Sequence, residues 1–285
     1  MVIIEEIAAL KTLLQAKRRM GQTIGLVPTM GYLHEGHLSL VDHAKAHADV
    51  IVMSIFVNPL QFGPNEDFER YPRDVKRDTA LAERAGVDVL FMPSIREMYP
   101  QQQWVTVAVT GMSDVLCGKS RPGHFDGVAT VVMKLLNIVR PDSAYFGQKD
   151  AQQVAIIRQM AVDLNLDVEI VACPIVREPS GLAMSSRNVY LSDAEREAAT
   201  VLHTSLQRAA LLVNAGEKDI SRILSQVTEM IQAQPRAQID YVEVVDAATL
   251  QPVEVVAQTS LLALAVYFGK TRLIDNCRLE PSEKE

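Results

Sequence analysis

The sequence predicts an α/β protein: a doubly wound parallel sheet followed by a smaller α+β domain. Two observations carry this. Through residue 172, short apolar or β-branched runs alternate with segments of helical spacing, and such alternation builds a parallel sheet through right-handed crossovers. After Cys173-Pro174 the order becomes a helical pair and then three consecutive extended runs, which reads as a separate antiparallel sheet. A chain of 285 residues accommodates one large domain or two modest ones.

Taken in order, Ile7, Leu10, Leu13 and Leu14 give the opening segment an apolar helical face. Strands are expected at 24–28, 50–57, 87–92, 144–146 and 168–172, where uninterrupted apolar runs suit burial on both faces. Helices are expected at 38–48, 74–85, 128–139 and 151–164. Ser192-Asp193-Ala194-Glu195 matches a capping box and starts a helix towards Asn214, which Ala215-Gly216 ends. Asp219 caps a second helix that stops before Pro235. Extended runs follow at 239–245, 261–266 and 272–277. The expected division is a Rossmann-like domain over 1–176 and a smaller α+β domain over 177–285. Residues 104–109 alternate like an exposed strand, one that could pair across a two-fold axis.

The 28 basic against 35 acidic side chains leave a net charge of −7, and no Lys/Arg run looks like a basic patch. Nucleic acid is therefore not an expected partner. The longest apolar runs, 50–57 and 261–268, fall far short of the ~20 residues of a membrane helix. The opening Met1-Val2-Ile3-Ile4-Glu5-Glu6 has an acidic pair and no basic region before its apolar run, unlike a signal peptide. Cys117, Cys173 and Cys277 are scattered, with no CxxC pair, as for reduced thiols. A cytoplasmic protein is expected.

Five stretches hold chemistry. Pro28-Thr29-Met30-Gly31-Tyr32-Leu33-His34-Glu35-Gly36-His37 joins the first long strand to a helix, where open α/β sheets bind ligands and helix N-termini meet anions. Gly31 and Gly36 allow close backbone approach. His34 and His37 either donate to phosphate oxygens or simply cap the turn; a zinc site would need a third ligand, and the spacing is neither HExxH nor HxxEH. Met184-Ser185-Ser186-Arg187-Asn188 offers two hydroxyls and a planar guanidinium fork to a triphosphate, or is a polar surface loop. Phe146-Gly147-Gln148-Lys149-Asp150-Ala151-Gln152-Gln153 puts a cation near a helix N-terminus, which is unfavourable unless an anionic ligand offsets it; Asp150 either accepts from ribose hydroxyls or serves as an N-cap. Phe56-Val57-Asn58-Pro59-Leu60-Gln61-Phe62-Gly63 sets amides among apolar groups, which suits a small hydroxy acid carrying methyl groups. Arg121-Pro122-Gly123-His124-Phe125 either holds a carboxylate or leads into a helix.

The first two stretches resemble the HIGH and KMSKS motifs of the adenylate-forming nucleotidyltransferase superfamily. All five, in this order and across nearly the whole chain, resemble the pantoate–β-alanine ligase family. That resemblance implies joining of pantoate to β-alanine through an enzyme-bound pantoyl adenylate, with ATP as a substrate and Mg²⁺ arriving on its phosphates. It implies His34 and His37 at the triphosphate, with His37 as proton donor or transition-state stabiliser, and Lys149 at the α-phosphate. Ser185, Ser186 and Arg187 would close over the β- and γ-phosphates. Gly147 and Asp150 would hold the ribose, with Met30, Gly31, Val176 and Met184 along the nucleotide. Gln61 and Gln153 would bind pantoate, together with Pro28, Met30 and Phe62, while Arg121 and His124 would meet a substrate carboxylate. No protein metal ligands are implied. The family is typically dimeric, and the smaller domain is expected to close over the site on ATP, hinged near 173–179. A tRNA-charging enzyme, or a non-catalytic nucleotide sensor on the same scaffold, are the two other classes these motifs admit.

Overall fold

The structure, a computed structural model, describes residues 1–64 and 66–281. Its contacts divide the chain into two units. The first comprises Met1–Thr110, Arg121–Gln148 and Ile156–Pro174; the second comprises Gly111–Ser120, Lys149–Ala155 and Ile175–Glu285. One break thus falls at Pro174/Ile175, beside the expected boundary at 176, and two inner segments join the second unit.

The first unit is built on a six-stranded parallel sheet ordered β1-β4-β3-β2-β5-β6. Five strands fall where the apolar runs predict them: β2 (Ile24–Thr29), β3 (Val50–Ile55), β4 (Val89–Phe91), β5 (Ser143–Gly147) and β6 (Glu169–Cys173). Strand β1 (Val2–Ile4) was not expected. It is three residues long and lies on the edge beside β4, Ile3 opposite Leu90, so its pairing comes from a distant segment and not from a local pattern. The crossovers are α1 (Ile7–Arg19), α2 (Glu35–Lys45), α3 (Val75–Ala85), the short α4 (Ile95–Met98), α6 (His124–Val139) and α7 (Ala151–Asp163). Helix α3 is capped by the Asp74 side chain, which accepts from the Arg77 N–H, and ends at Gly86 with φ 88°, where a glycine adopts the left-handed conformation without a Cβ penalty. Val27, Val41, Ile51, Met53, Leu90 and Tyr145 are among the buried side chains between sheet and helices.

The expected strand over 104–109 is not formed: among the described residues this stretch pairs with no strand. Its backbone is taken up by side chains one turn apart on α6, the Val107 N–H donating to Thr130 Oγ1 (3.0 Å) and the Val109 N–H to Asp126 Oδ1 (2.8 Å). Trp104 and Val105 remain 80% and 83% exposed.

The second unit packs a helical layer on an antiparallel sheet ordered β7-β8-β9: β7 (Ala237–Asp246), β8 (Ser260–Phe268) and β9 (Thr271–Leu279). The capping box at Ser192 and Glu195 forms, but the helix it starts breaks at Thr200 into α8 (Asp193–Ala199) and α9 (Val201–Asn214), followed by α10 (Ile220–Gln232). Leu202, Leu206, Ile223, Val227, Leu262 and Leu264 are buried between the layers. The short α5 (Leu116–Ser120) docks here, Leu116 packing with Ala151, Val245 and Leu261.

Within the first unit, α6 passes so close to the 3-10 turn Pro59–Gln61 that a Cβ on Gly127 would lie 2.2 Å from Leu60 O. Gly127→Ala gains up to ~1 kcal/mol of helix propensity, yet the overlap should cost about 1–3 kcal/mol more than that. A lowered thermal midpoint is expected; a midpoint at or above the parent's would show that the turn yields freely.

Candidate active site

The loop after β2 is shaped by two buried groups. Thr29 Oγ1 donates to Ser54 O (2.8 Å) and accepts from the Gly31 N–H (3.2 Å). Gly31 sits at φ 85°, and a Cβ there would meet Ile55 Cγ2 at 2.9 Å and Asp78 Oδ2 at 3.0 Å, so both conformation and space demand glycine. The Asp78 carboxylate, on α3 and 2% exposed, accepts from the Tyr32 N–H (2.7 Å) and the Leu33 N–H (2.8 Å). Charge-assisted bonds of this kind are about twice as strong as neutral ones. Asp78 is a positioning residue that sequence reasoning missed, because it lies on a helix about 45 positions away from the loop it fixes.

His34 then caps α2. Its Nδ1 accepts from the Gly36 N–H (3.2 Å), and His37 Nδ1 accepts from the His34 N–H (3.3 Å). The ring centroids are 4.0 Å apart. Of the two readings of this pair, the structure shows the capping one. Both imidazoles cap the turn through Nδ1, each accepting from a backbone N–H. The helix N-terminus they cap can serve an anion.

Beyond β3, Asn58 is 1% exposed. Its Nδ2 donates to Gln61 Oε1 and to Gly127 O (both 3.1 Å), and its Oδ1 accepts from Tyr99 Oη (2.8 Å). Burial raises the Tyr99 phenol above its ordinary range, which keeps it a donor. With its oxygen held, Gln61 points Nε2 at Met30 Sδ (3.1 Å). Phe62 packs edge-on against Phe68 and Tyr71, and Pro28 lies in β2. Arg121 is engaged on every nitrogen: Nε donates to Glu66 Oε1 (2.7 Å), Nη2 to Glu66 Oε2 (2.5 Å) and Gln61 O (3.3 Å), and Nη1 lies 2.9 Å from His124 Nε2. His124 Nδ1 is 2.8 Å from Gln61 O. Glu66 was not singled out from sequence. Gly147 closes β5.

In the second unit, Lys149 and Asp150 occupy the 3-10 turn Gln148–Asp150 leading into α7, with Lys149 Nζ 3.7 Å from Asp150 Oδ2. Gln153 is half-buried in the first turn of α7. Its buried neighbour Gln152 accepts from the Cys117 N–H (2.9 Å) and donates to Met112 O (2.9 Å) and Val115 O (2.8 Å). Met184 N–H donates to Val176 O (2.9 Å), closing a small loop with Gly181 at φ 92°. Ser185 Oγ then accepts from the Arg187 N–H (3.2 Å) and caps the 3-10 turn Ser186–Tyr190. The sequence-predicted residues thus fall in two sets. Pro28, Met30, Gly31, His34, His37, Gln61, Phe62, Arg121, His124 and Gly147 belong to the first unit; Lys149, Asp150, Gln153, Val176, Met184, Ser185, Ser186 and Arg187 belong to the second.

A doubly wound sheet carrying paired, capping imidazoles after β2, with an α+β unit bearing a Ser-Ser-Arg loop, fits the class of nucleotidyltransferases whose motifs these stretches resemble. The family model described as pantoate-beta-alanine ligase matches residues 2–278, and the chain belongs to that family. It is 59% identical over 280 residues to pantothenate synthetases from Acetivibrio thermocellus and Heliobacterium modesticaldum, covering 98% of this chain and 100% of each relative. A crystal structure of pantothenate synthetase from Thermus thermophilus superposes with a TM-score of 0.94 at 44% identity, covering 99% of this chain and 100% of that one. Pantoate-beta-alanine ligase from Francisella tularensis, complexed with beta-gamma ATP and beta-alanine, superposes with a TM-score of 0.80 at 36% identity, covering 97% of each chain.

Burial pushes the Glu66 carboxyl up, but the hydrogen bond and charge of Arg121 outweigh it and hold the group below its ordinary value of 4.5. A depressed carboxyl contributes stability above its unfolded pKa and loses it as pH falls through the folded one. The stability margin of the parent over Glu66→Gln, measured by denaturant titration, should be full near about pH 6 and shrink from about pH 4.5 downwards. A margin independent of pH would mean that the pair contributes nothing through charge.

Proposed function

We propose that this protein condenses pantoate with β-alanine in an ATP-dependent, AMP-forming reaction. The observation that carries this is the family match across residues 2–278, with the five motif stretches intact. A carboxylate is a poor acyl donor. Its oxygen attacks the α-phosphorus of ATP in line, pyrophosphate leaves, and the resulting pantoyl adenylate is attacked at the acyl carbon by the neutral amine of β-alanine. The amide bond forms, AMP departs, and the amine gives up a proton. No covalent nucleophile is needed, so the enzyme's contribution is positioning and neutralisation of charge.

In this reading His34 and His37 serve the triphosphate at the N-terminus of α2, with His37 as proton donor or transition-state stabiliser. Lys149 neutralises the α-phosphate, and Ser185, Ser186 and Arg187 serve the β- and γ-phosphates. Met30, Gly31, Gly147, Asp150, Val176 and Met184 hold the nucleoside. Gln61 and Gln153 bind pantoate beside Pro28, Met30 and Phe62, and Arg121 with His124 bind a substrate carboxylate. Mg²⁺ comes bound to ATP, since it keeps several waters and favours phosphates over an all-protein cage. Support for ATP and β-alanine as ligands comes from the Francisella tularensis relative, which was crystallised with beta-gamma ATP and beta-alanine. The proposed setting is the cytoplasm: among the described residues no helix is long and apolar enough to cross a membrane.

Because the adenylate precedes the amine, pantoate and Mg-ATP should support exchange of labelled pyrophosphate into ATP without β-alanine. Lys149→Ala should slow that exchange by about 3–4 kcal/mol of transition-state stabilisation while leaving the thermal midpoint unchanged or raised, since the cation sits near a helix N-terminus. Exchange that strictly needs β-alanine, or a variant that melts well below the parent, would sink the scheme or the Lys149 assignment respectively.

We also propose a homodimer, built on the apolar surface at Trp104 and Val105. Replacing both with aspartate should give a monomer by sedimentation velocity. A parent that is already monomeric, or a variant that stays dimeric, counts against that surface.

A further inference from the structure

Lys149 stands on the three-residue 3-10 turn Gln148–Asp150 that leads into α7. A 3-10 turn of three residues has poor internal hydrogen-bond geometry, and a cation next to a helix N-terminus is driven away by the macrodipole. A hold from outside the turn comes from β9. Asn276, 4% exposed, donates from Nδ2 to the Lys149 carbonyl oxygen at 2.9 Å. Asn276 is itself tied down, because its backbone N–H donates to Asp275 Oδ1 at 2.8 Å. The Asp275 carboxylate, with 1% side-chain exposure, receives both terminal nitrogens of Arg177 at 2.5 and 3.0 Å. Arg177 in turn donates to Gly181 O at 3.1 Å and pairs with Ala183 across the loop that runs into Met184-Ser185-Ser186-Arg187. Two adjacent residues of one strand therefore fix two functional loops: Asn276 the Lys149 turn, and Asp275 the stem of the Ser-Ser-Arg loop. All of these groups lie within the second unit.

We infer that Asn276 is a positioning residue for adenylation, acting through the main chain of Lys149 to keep its ammonium in register with the Ser185–Arg187 loop. The inference rests on the reading that Lys149 neutralises charge at the α-phosphate. A neutral amide is suited to this task. Asp at this position would set a carboxylate against a carbonyl oxygen, and Ala would remove the donor to the Lys149 carbonyl. Misplacement of a catalytic group by about 1 Å can cost on the order of a hundredfold in rate, and the loss of one of several tethers should cost less.

The test is a double-mutant cycle read by pantoate-dependent pyrophosphate exchange, using the full chain with Asn276→Ala, Lys149→Ala and both together. Asn276→Ala alone should lower the exchange kcat by about tenfold while the KM for ATP and pantoate stays near the parent's. In the Lys149→Ala background it should have no further effect, because a residue that works through Lys149 has nothing left to position. If Asn276→Ala does not melt cooperatively, Asn276→Asp, of nearly equal volume, takes its place in the cycle. An Asn276 effect that multiplies in full with that of Lys149→Ala, or a parent-like kcat for Asn276→Ala, overturns the inference. A parent-like kcat for Lys149→Ala alone overturns instead the reading of Lys149 on which it rests.

Discussion

Strand β2 faces β5 through Ile24, Leu26 and Pro28, and faces β3 through Val27 and Thr29. The Asp142 N–H donates to Ile24 O on the first side, and the Phe56 N–H to Thr29 O on the second. Pro28 has no N–H, so the row facing β5 loses its donor there. The ladder with β5 ends at Leu26 opposite Ala144, whereas the ladder with β3 continues to Thr29 opposite Ile55. Beyond Ala144, β5 goes on with β6 as far as Gly147 opposite Cys173. The two central strands therefore part at their carboxyl ends, where the strand order also reverses. Such a reversal is where open α/β sheets bind ligands. A proline that would weaken an ordinary central strand here leaves open the crevice beside the imidazole-bearing loop, and the Thr29 and Asp78 bonds then decide the path of that loop.

The second unit meets a different constraint, since two of its segments come from the middle of the first unit's sequence. Residues 111–120 and 149–155 contribute Leu116 and Ala151 to an apolar cluster with Val245 and Leu261, and a few polar side chains fasten them further. Gln152 spends its whole amide on 111–120. Asp240 accepts from Ser120 Oγ (3.0 Å) and from Arg272 Nη2 (2.7 Å), and Cys117 Sγ lies 3.2 Å from Tyr241 Oη. Burial, reinforced by Cys117, lifts the Tyr241 phenol well above its usual range, so its hydroxyl stays protonated. Fully satisfied networks of this kind rigidify and specify one arrangement. That suits a unit which, in the proposed scheme, presents Lys149 at a fixed place.

Most of the sheet was legible because buried parallel strands write themselves as continuous apolar runs, as in 50–57 and 87–92. Three features were not. Strand β1 needs β4, nearly ninety residues away, and its Val2-Ile3-Ile4 looks like the lead-in to a helix. The expected strand at 104–109 has the alternation of a strand but finds its partners in Asp126 and Thr130, side chains on a helix, so period alone misassigns it. The break at Thr200 carries neither Gly nor Pro to announce it. At the site, residues that touch ligands in the proposed scheme sit in contiguous motifs and could be read, whereas Asp78, Glu66, Gln152 and Asn276 act on backbone or side chains from afar. Long-range hydrogen bonds leave no local spacing, so the positioning residues were the part that only the fold could reveal.

The same geometry separates the residues proposed to bind pantoate by how readily each can change partner. Gln61 Nε2 points at the thioether of Met30, a weak acceptor. An incoming hydroxyl or carboxylate oxygen replaces that contact with a stronger one, and Asn58, braced by Tyr99, keeps the amide from turning over. Gln61 is therefore oriented before the ligand arrives, which lowers the ordering cost of binding. Arg121 is the opposite case. Its guanidinium already holds a carboxylate, that of Glu66, in a partly buried, bidentate pair, and any substrate carboxylate must first displace it. Breaking such a pair strands a charge unless the newcomer replaces it one for one. In the proposed scheme a substrate acid would meet Arg121 only by like-for-like exchange, whereas Gln61 would give up only a weak contact. Under that scheme, selectivity for a hydroxy acid on this side would fall first to Gln61, with Asn58 holding its amide.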